Sequence, residues 1–269
     1  MRRATWLALL VAAASLLGSC AGPVDAPVDT TDEPSAGEDP AESPHDRDVE
    51  VRLHLLRHGE AVFNVRGILA GWADSPLTPT GAEQAARAGS ALSEVPFVAA
   101  WTSDMVRTRD TATAVLAAHP GPPTLREDPV LREWHFGEFE GARNEDAAAV
   151  YLGGAENGWE LTDIGMFADL IVAADPWGVA DDRASVQQRA TAALDTVLAD
   201  ALALGGGDVL VVTHGMAMLT MLAVIDPVSA TTAVPGNVAL SRVTWRDGVW
   251  TIEAQNDVGY LEPVGAPQS

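Results

Sequence analysis

Glu50-Val51-Arg52-Leu53-His54-Leu55-Leu56, followed at once by Arg57-His58-Gly59-Glu60, decides the architecture of this chain. The apolar residues Val51, Leu53, Leu55 and Leu56 mark a buried strand, and the residues after it set a guanidinium beside an imidazole at the strand's carboxyl end. In an open α/β sheet, ligands bind at that end. A second segment, Asp208 to Thr213, reads as another buried strand and delivers the pair His214-Gly215 at its own carboxyl end. Two imidazoles and an arginine can then face one anion. Arginine brings fixed donors and a permanent charge, and a neutral imidazole can attack phosphorus, so the set points to phosphoryl transfer through a phosphohistidine.

Helical signals alternate with these strands. Thr78-Pro79 offers an N-cap followed by proline at the first helical position, ahead of a helix over Ala82 to Leu92. Phe97 to Trp101 is a short apolar strand. Ser103 then stands where it can cap a helix carrying Met105, Thr108, Ala112, Val115 and Leu116. Arg107 falls in that helix's first turns, against the dipole, which makes sense if it reaches an anion near the same end; by itself it would read as an ordinary solvated arginine. Ser185 and Gln188 form a capping box for a long helix from Val186 to Ala201, which the run Gly205-Gly206-Gly207 ends. A short helix follows from Met216. Asp247-Gly248 between Val243-Thr244-Trp245 and Val249-Trp250-Thr251-Ile252 is a two-residue hairpin signal. The expected fold is therefore α/β: a three-layer α/β/α sandwich whose mostly parallel sheet has at least one antiparallel strand.

The 269 residues, 47% of them apolar, suffice for one sizeable core. A formal net charge of −22 opposes nucleic acid and anionic surfaces, so a small phosphorylated substrate fits better than a polyanion. The chain contains no lysine, which excludes a Walker lysine, a Schiff base and a lysine general base. Its one cysteine, Cys20, excludes an intrachain disulfide and a cysteine-rich zinc cluster. Arg2 and Arg3 precede an apolar stretch from Trp6 to Leu17, too short to span a bilayer comfortably, and Leu17-Gly18-Ser19-Cys20 follows. This resembles a bacterial lipoprotein signal over residues 1–19, with lipid on the Cys20 sulfur and the protein on the outer face of the cytoplasmic membrane. An ordinary secretory signal or an uncleaved anchor are the alternatives, and Arg2-Arg3 leaves the twin-arginine route open. Residues 20–48, acidic and proline-rich, read as a disordered tether, and residues 49–269 as the folded domain, with about 141–184 covering the site.

Leu56-Arg57-His58-Gly59-Glu60 with Asn64 resembles the signature of the histidine phosphatase superfamily, the phosphoglycerate mutase-like fold. Gly71 to Gly81, Thr102 to Arg107 with Thr111-Ala112, Leu131-Arg132-Glu133 with Phe136-Gly137 and Phe139-Glu140-Gly141, and Val211 to Gly215 are similar to its later motifs, in family order. The resemblance implies that His58 is the nucleophile and that Glu133 is the general acid and then base. It also implies that Arg57, Arg107 and His214 bind the phosphoryl oxygens, assisted by Asn64 and the Gly215 backbone. No metal or other cofactor is implied. His54 and His58, four apart, would suggest a metal pair on a helix, but the segment reads as strand and no glutamate adjoins His54. Ala61 stands where the family has Ser or Thr, and Ile68 and Ala70 where it often has Arg and Gln, with Arg66 nearby. His45 and His119 read as surface residues, His135 as lining the pocket or packing, and Trp159 and Trp177 as candidates to cover a substrate.

The favoured activity is hydrolysis of a small phosphomonoester. A phosphoglycerate mutase-type phosphotransferase and a catalytically silent binding lipoprotein are the other readings. The segment Glu138 to Asp182 is acidic, with Arg143 its only cation and Arg183 just beyond, which suits release to water better than retention of an anionic triose. The alcohol being freed and the oligomeric state stay open.

Overall fold

The structure, a computed structural model, describes residues 49–156 and 164–262. The signal, the tether, His45, Cys20 and Trp159 lie outside the described residues. The elements run β1 (Glu50–Arg57), α1 (Val62–Val65), α2 (Pro79–Leu92), β2 (Phe97–Thr102), α3 (Val106–Leu116), β3 (Leu125–Glu127), α4 (Asn144–Glu156), α5 (Ile164–Ala174), α6 (Arg183–Ala203), β4 (Gly207–Thr213), α7 (Gly215–Ile225), β5 (Leu240–Arg246) and β6 (Val249–Asp257). The sheet order is β3-β2-β4-β1-β5-β6. β3, β2, β4 and β1 are mutually parallel, while β5 and β6 continue the sheet antiparallel. This is the expected mixed α/β sheet. Asp247 and Gly248 both have positive φ, 52° and 82°, which makes the β5–β6 connection the tight turn that the sequence signals.

Side-chain alternation along the inner strands builds the layers. Val51, Leu53 and Leu55 of β1 and Val209 and Val211 of β4 pack against Ala190, Leu194 and Val197 of α6 and Met218 and Leu222 of α7. Leu56, Leu210 and Val212 point the other way, onto Ala88 and Leu92 of α2 and Ala112 and Val115 of α3. Each buried Val, Leu or Met side chain among these contributes about 1.5–3 kcal/mol, and a one-residue slip of β1 would put Arg52 and His54 into the α6–α7 core instead. The register is therefore set by both faces at once. His54 stays on the α2–α3 side, where its Nε2 meets Asp208 Oδ1 at 2.7 Å and Phe97 packs edge-on against its ring. That pair ties β1 to β4.

Three local expectations change. Ser103 does not cap α3, whose N-cap is Met105 with no side-chain bond; the Ser103 hydroxyl is taken by Thr108 and His214. The long helix begins three residues before Val186, at Arg183, where Asp182 accepts from Ser185 N in place of the Ser185–Gln188 box. His119 is buried, its two ring nitrogens bonded to the Val115 and Leu92 carbonyls. For Ser103 and His119 a tertiary partner outcompetes the local pattern, whereas for the long helix a neighbouring local cap, Asp182, takes over. By contrast, Thr78 does cap α2, accepting from Gly81 N, with Pro79 opening the helix.

The turn after β1 is clamped onto the start of α2. Gly59 N donates to Thr111 Oγ1 at 3.0 Å, Glu60 N to Gln84 Oε1 at 2.9 Å, and Thr78 Oγ1 to the Glu60 carboxylate at 2.6 Å. Two glycines make this approach possible: a Cβ on Gly81 would meet Glu60 O at 1.9 Å, and one on Gly59 would meet Gly81 O at 2.5 Å. Both obstacles are backbone and cannot rotate away. Gly81→Ala is therefore expected to destabilise the domain by about 1–3 kcal/mol, the range for overpacking, and to shift the His58 turn. Urea unfolding compared with wild type measures it, and a change below about 0.5 kcal/mol would contradict the close contact.

Candidate active site

Parallel pairing of β1 with β4 sets Arg57 opposite Thr213, so the next residue of each strand, His58 and His214, leaves the sheet side by side. Their ring centroids are 5.4 Å apart. His58 N still donates to Thr213 O at 3.1 Å, which extends the ladder into the site. The His58 Nδ1 lies 2.8 Å from Gly59 O. A carbonyl can only accept, so Nδ1 carries the proton and Nε2 is left with its lone pair.

His214 is oriented from two sides. Its Nδ1 accepts from Arg107 Nε at 3.2 Å, which leaves the proton on Nε2 to be donated to Ser103 Oγ at 2.8 Å. Ser103 Oγ passes to Thr108 Oγ1 at 2.6 Å, and Thr108 Oγ1 donates to Met105 O at 2.9 Å. The Arg107 donor settles the His214 tautomer, and the hydroxyls receive its proton. Sequence reasoning assigned Ser103 to a helix cap and had no signal for this relay, because its partner is more than a hundred residues away.

Arg107 differs from the expectation of a direct phosphoryl ligand. It is fully buried, and every guanidinium nitrogen is bonded within the protein: Nε to His214, one terminal nitrogen to Ala73 O and Asp74 Oδ1, the other to Ala70 O and Gly71 O. It stands behind the cavity, with a charge that still acts on its neighbours. Asp74 holds it there and also accepts from Val106 N at 2.6 Å, joining the loop before α2 to the start of α3.

Arg57 faces the cavity. One terminal nitrogen donates to Pro235 O, while the buried Nε has no hydrogen-bond partner. A buried cationic donor left unpaired is costly, and an oxyanion would satisfy it. Gly215, at the first turn of α7, sits between this donor and Glu133: a Cβ built on it would lie 3.7 Å from Arg57 Nε and 3.8 Å from Glu133 Oε2. Glycine thus keeps clear the space that both groups address.

Glu133 is buried at that helix start. Oε1 accepts from Trp134 N and Ala217 N at 3.0 and 2.8 Å, and Oε2 from Met216 N at 3.0 Å. These donors and the Arg107 charge favour the carboxylate, yet burial outweighs them and pushes the carboxyl above its ordinary range. Burial, then the charges of Arg57 and Arg107, hold His58 well below the usual imidazole range; burial and Arg107 do the same to His214. A carboxyl inclined to keep a proton thus shares the site with two imidazoles inclined to refuse one.

The cavity, about 280 Å³, is lined by Arg57, His58, Asn64, Glu133 and Gly215, together with Ile68, Ala70 and residues of α5 and α7. Asn64 Oδ1 is committed to Ala61 N at 2.9 Å and Asn237 Nδ2 at 3.3 Å, so its amide nitrogen is what it offers the cavity. Asn237, which no local pattern singles out, also donates to His58 O at 3.1 Å. Arg66 is exposed and absent from the lining. His135 accepts from Gly137 N and packs on Trp72, and Trp177 is 73% exposed. Among the described residues, no three His, Cys, Asp or Glu side chains converge as a metal-binding group.

A mixed α/β sheet whose parallel central strands bring two imidazoles held towards their neutral form, a cavity-facing guanidinium and a buried carboxyl together defines a class of phosphate-handling site. Residues 53–258 match the histidine phosphatase superfamily (branch 1), and the chain belongs to that family. It is 28% identical over 219 residues to the 2,3-bisphosphoglycerate-dependent phosphoglycerate mutase of Rhizobium johnstonii, which covers 79% of this chain and 95% of that protein. Over 218 residues it is 29% identical to the metal-independent phosphoserine phosphatase of Arabidopsis thaliana, covering 78% and 83% respectively. Among solved structures, the phosphoglycerate mutase from Bacillus anthracis superposes with a TM-score of 0.76 at 32% identity, over 81% of this chain and 98% of that one. Mutases and a phosphatase are thus similar to it to nearly the same degree.

Because Gly215 is the floor between Arg57 and Glu133 and has no strained backbone angle, Gly215→Ala is expected to fold normally. It should weaken binding of inorganic phosphate roughly tenfold, or about 1.4 kcal/mol. Calorimetric titration measures this; unchanged affinity would place the anion elsewhere.

Proposed function

We propose that the protein is a phosphomonoesterase that works through a phosphohistidine on His58. The observation that carries this reading is the pairing, in one cavity, of a His58 ring locked with its Nε2 lone pair exposed and a Glu133 carboxyl whose burial favours the protonated form. His58 Nε2 attacks phosphorus as the P–O bond to the leaving alcohol breaks, and Glu133 gives that oxygen its proton. The ionised Glu133 then takes a proton from water as the water oxygen attacks phosphorus and the P–N bond breaks, which regenerates both groups.

The transition state spreads charge over the equatorial oxygens, where Arg57 Nε, Asn64 and the start of α7 supply donors. Arg107 supports this through its charge and through His214, and binds the phosphoryl group directly only if one of its present acceptors is displaced. His214, with its proton turned towards Ser103, is buried behind the cavity wall and supports the site by packing edge-on against the His58 ring. The mutase reading draws on the names of several relatives. It also requires a cationic cradle for a second anionic group, and the covering segment of this chain carries two arginines: Arg143, whose side chain is largely exposed beside Glu145, and Arg183, which is paired with Asp169.

His58→Ala is expected to abolish phosphate release from p-nitrophenyl phosphate, measured with chelator present, while leaving the thermal unfolding transition in place. Glu133→Gln should slow alkyl phosphates, whose leaving groups need a proton, by about 10²–10⁴-fold, and p-nitrophenyl phosphate far less. In wild type, alkyl phosphate turnover should fall as pH rises through the elevated Glu133 pKa, because the acid form is lost. On the acid side, His58 stays neutral below about 6.5, so no loss should be centred there. Full activity of His58→Ala, or phosphate exchange between phosphoglycerates without hydrolysis, would reverse the assignment.

Residues 1–48 are proposed to export the chain and anchor it by lipid on Cys20, on the motif that this segment carries. Cys20→Ser should then move the protein from the membrane fraction to the soluble fraction. Retention on membranes would overturn the anchor.

A further inference from the structure

The phosphate cavity has an apolar neighbour. A second cavity, about 310 Å³, is walled by Leu69, Ala147, Ala148, Ile164, Phe167 and Met216, with Asn144 and Thr232 its polar members. The two share Leu69, Asn144, Phe167, Met216 and Val234, so they form one continuous space with a charged end and an apolar end. Met216 links them chemically as well: its backbone N–H donates to Glu133 Oε2, the acid that faces the leaving oxygen, while its side chain lines the apolar end. Whatever is bonded to that oxygen is therefore directed past Met216 and Phe167. Ile68 and Ala70 add further apolar wall on the phosphate side.

Nothing at the apolar end would reward a charged alcohol. The chain has no lysine, and residues 138–182 contain a single arginine, Arg143, which is directed to Glu145. A carboxylate placed there would lose hydration without gaining a cation, whereas an alkyl or aryl group would gain from leaving water. The volume is about twice that of a ~150 Å³ cavity known to take up benzene, which suits a bicyclic aryl group or an alkyl chain of similar bulk. We infer that the substrate is the phosphate monoester of an apolar alcohol, held with its phosphoryl group on Arg57 and His58 and its hydrocarbon between α4, α5 and α7. For the reaction this rests on the phosphomonoesterase reading; the binding preference stands independently of turnover.

The test is calorimetric binding of methyl-, butyl- and hexylphosphonate, which cannot be hydrolysed, to the full chain, with 3-phosphoglycerate as the polar comparator. Affinity is expected to rise about fourfold per methylene across the series, and hexylphosphonate to bind more tightly than 3-phosphoglycerate. Ala148→Trp, at an exposed alanine that fills the apolar end, should flatten the chain-length dependence and leave methyl phosphate hydrolysis unchanged. Phe167→Ala should extend the dependence to longer chains. Equal affinity across the phosphonates, or tighter binding of 3-phosphoglycerate, would overturn the assignment even if phosphate is released from p-nitrophenyl phosphate. A steep chain-length dependence without any phosphate release would instead uphold the apolar site and refute the hydrolytic reading.

Discussion

The in-register parallel pairing of β1 with β4 is the constraint on which the site depends. Because Arg57 lies opposite Thr213, the chain leaves the two central strands at the same level, and His58 and His214 emerge as neighbours although more than 150 residues separate them. Parallel strands cannot be joined by a tight hairpin, so all of the intervening chain must pass over the faces and ends of the sheet. That passage brings Arg107, Glu133 and the covering helices to the same carboxyl edge. The hydrophobic alternation that packs the sheet on both sides is thus also what aligns the chemistry, since slipping the register would misplace both at once.

Burial then decides the protonation states. In water, an imidazole and a glutamate at neutral pH would be partly charged and fully charged respectively. Here, exclusion of solvent pushes each towards its neutral form, and for the histidines the nearby guanidinium groups push the same way. For Glu133, three backbone donors and a cation pull in the opposite direction and lose. These groups also tie stability to pH with opposite signs. The histidines add stability that is fully present above about pH 6.5 and is lost as pH falls through their depressed folded values. Glu133, with a raised folded value, withdraws stability as pH rises above its unfolded range.

The rigid and the adaptable parts of the molecule are built differently. The His58 turn is fixed by backbone-to-backbone proximity at Gly59 and Gly81 and by side-chain bonds into α2 and α3, so His58 sits on an over-determined loop. The far end of the cavity is walled by apolar side chains of α4 and α5, which make directionless contacts and hold shape rather than orientation. The titratable groups are thereby held at the sheet's edge, and the shape of the adjoining space is left to the helices that cover it.

The alternation of β1, the strand Asp208 to Thr213, the Thr78-Pro79 helix start and the Asp247-Gly248 hairpin are legible in the sequence because each is a local signal whose period or turn chemistry needs only its neighbours. The placement of Arg57 and His58 at one strand's end and of His214 at another's is legible for the same reason, as is Arg107 in a helix's first turns, and motif resemblance added Glu133 and Asn64. The hydroxyl relay from His214 through Ser103 to Thr108, the enclosure of Arg107 by carbonyls from the loop Ala70 to Ala73, and the hold of Asn237 on His58 were not. Nor was the apolar chamber beyond Met216. Each depends on which distant segments meet, and that is decided by packing on the two faces of the sheet, where the free energy lies in buried area and in satisfied polar groups that no local pattern encodes.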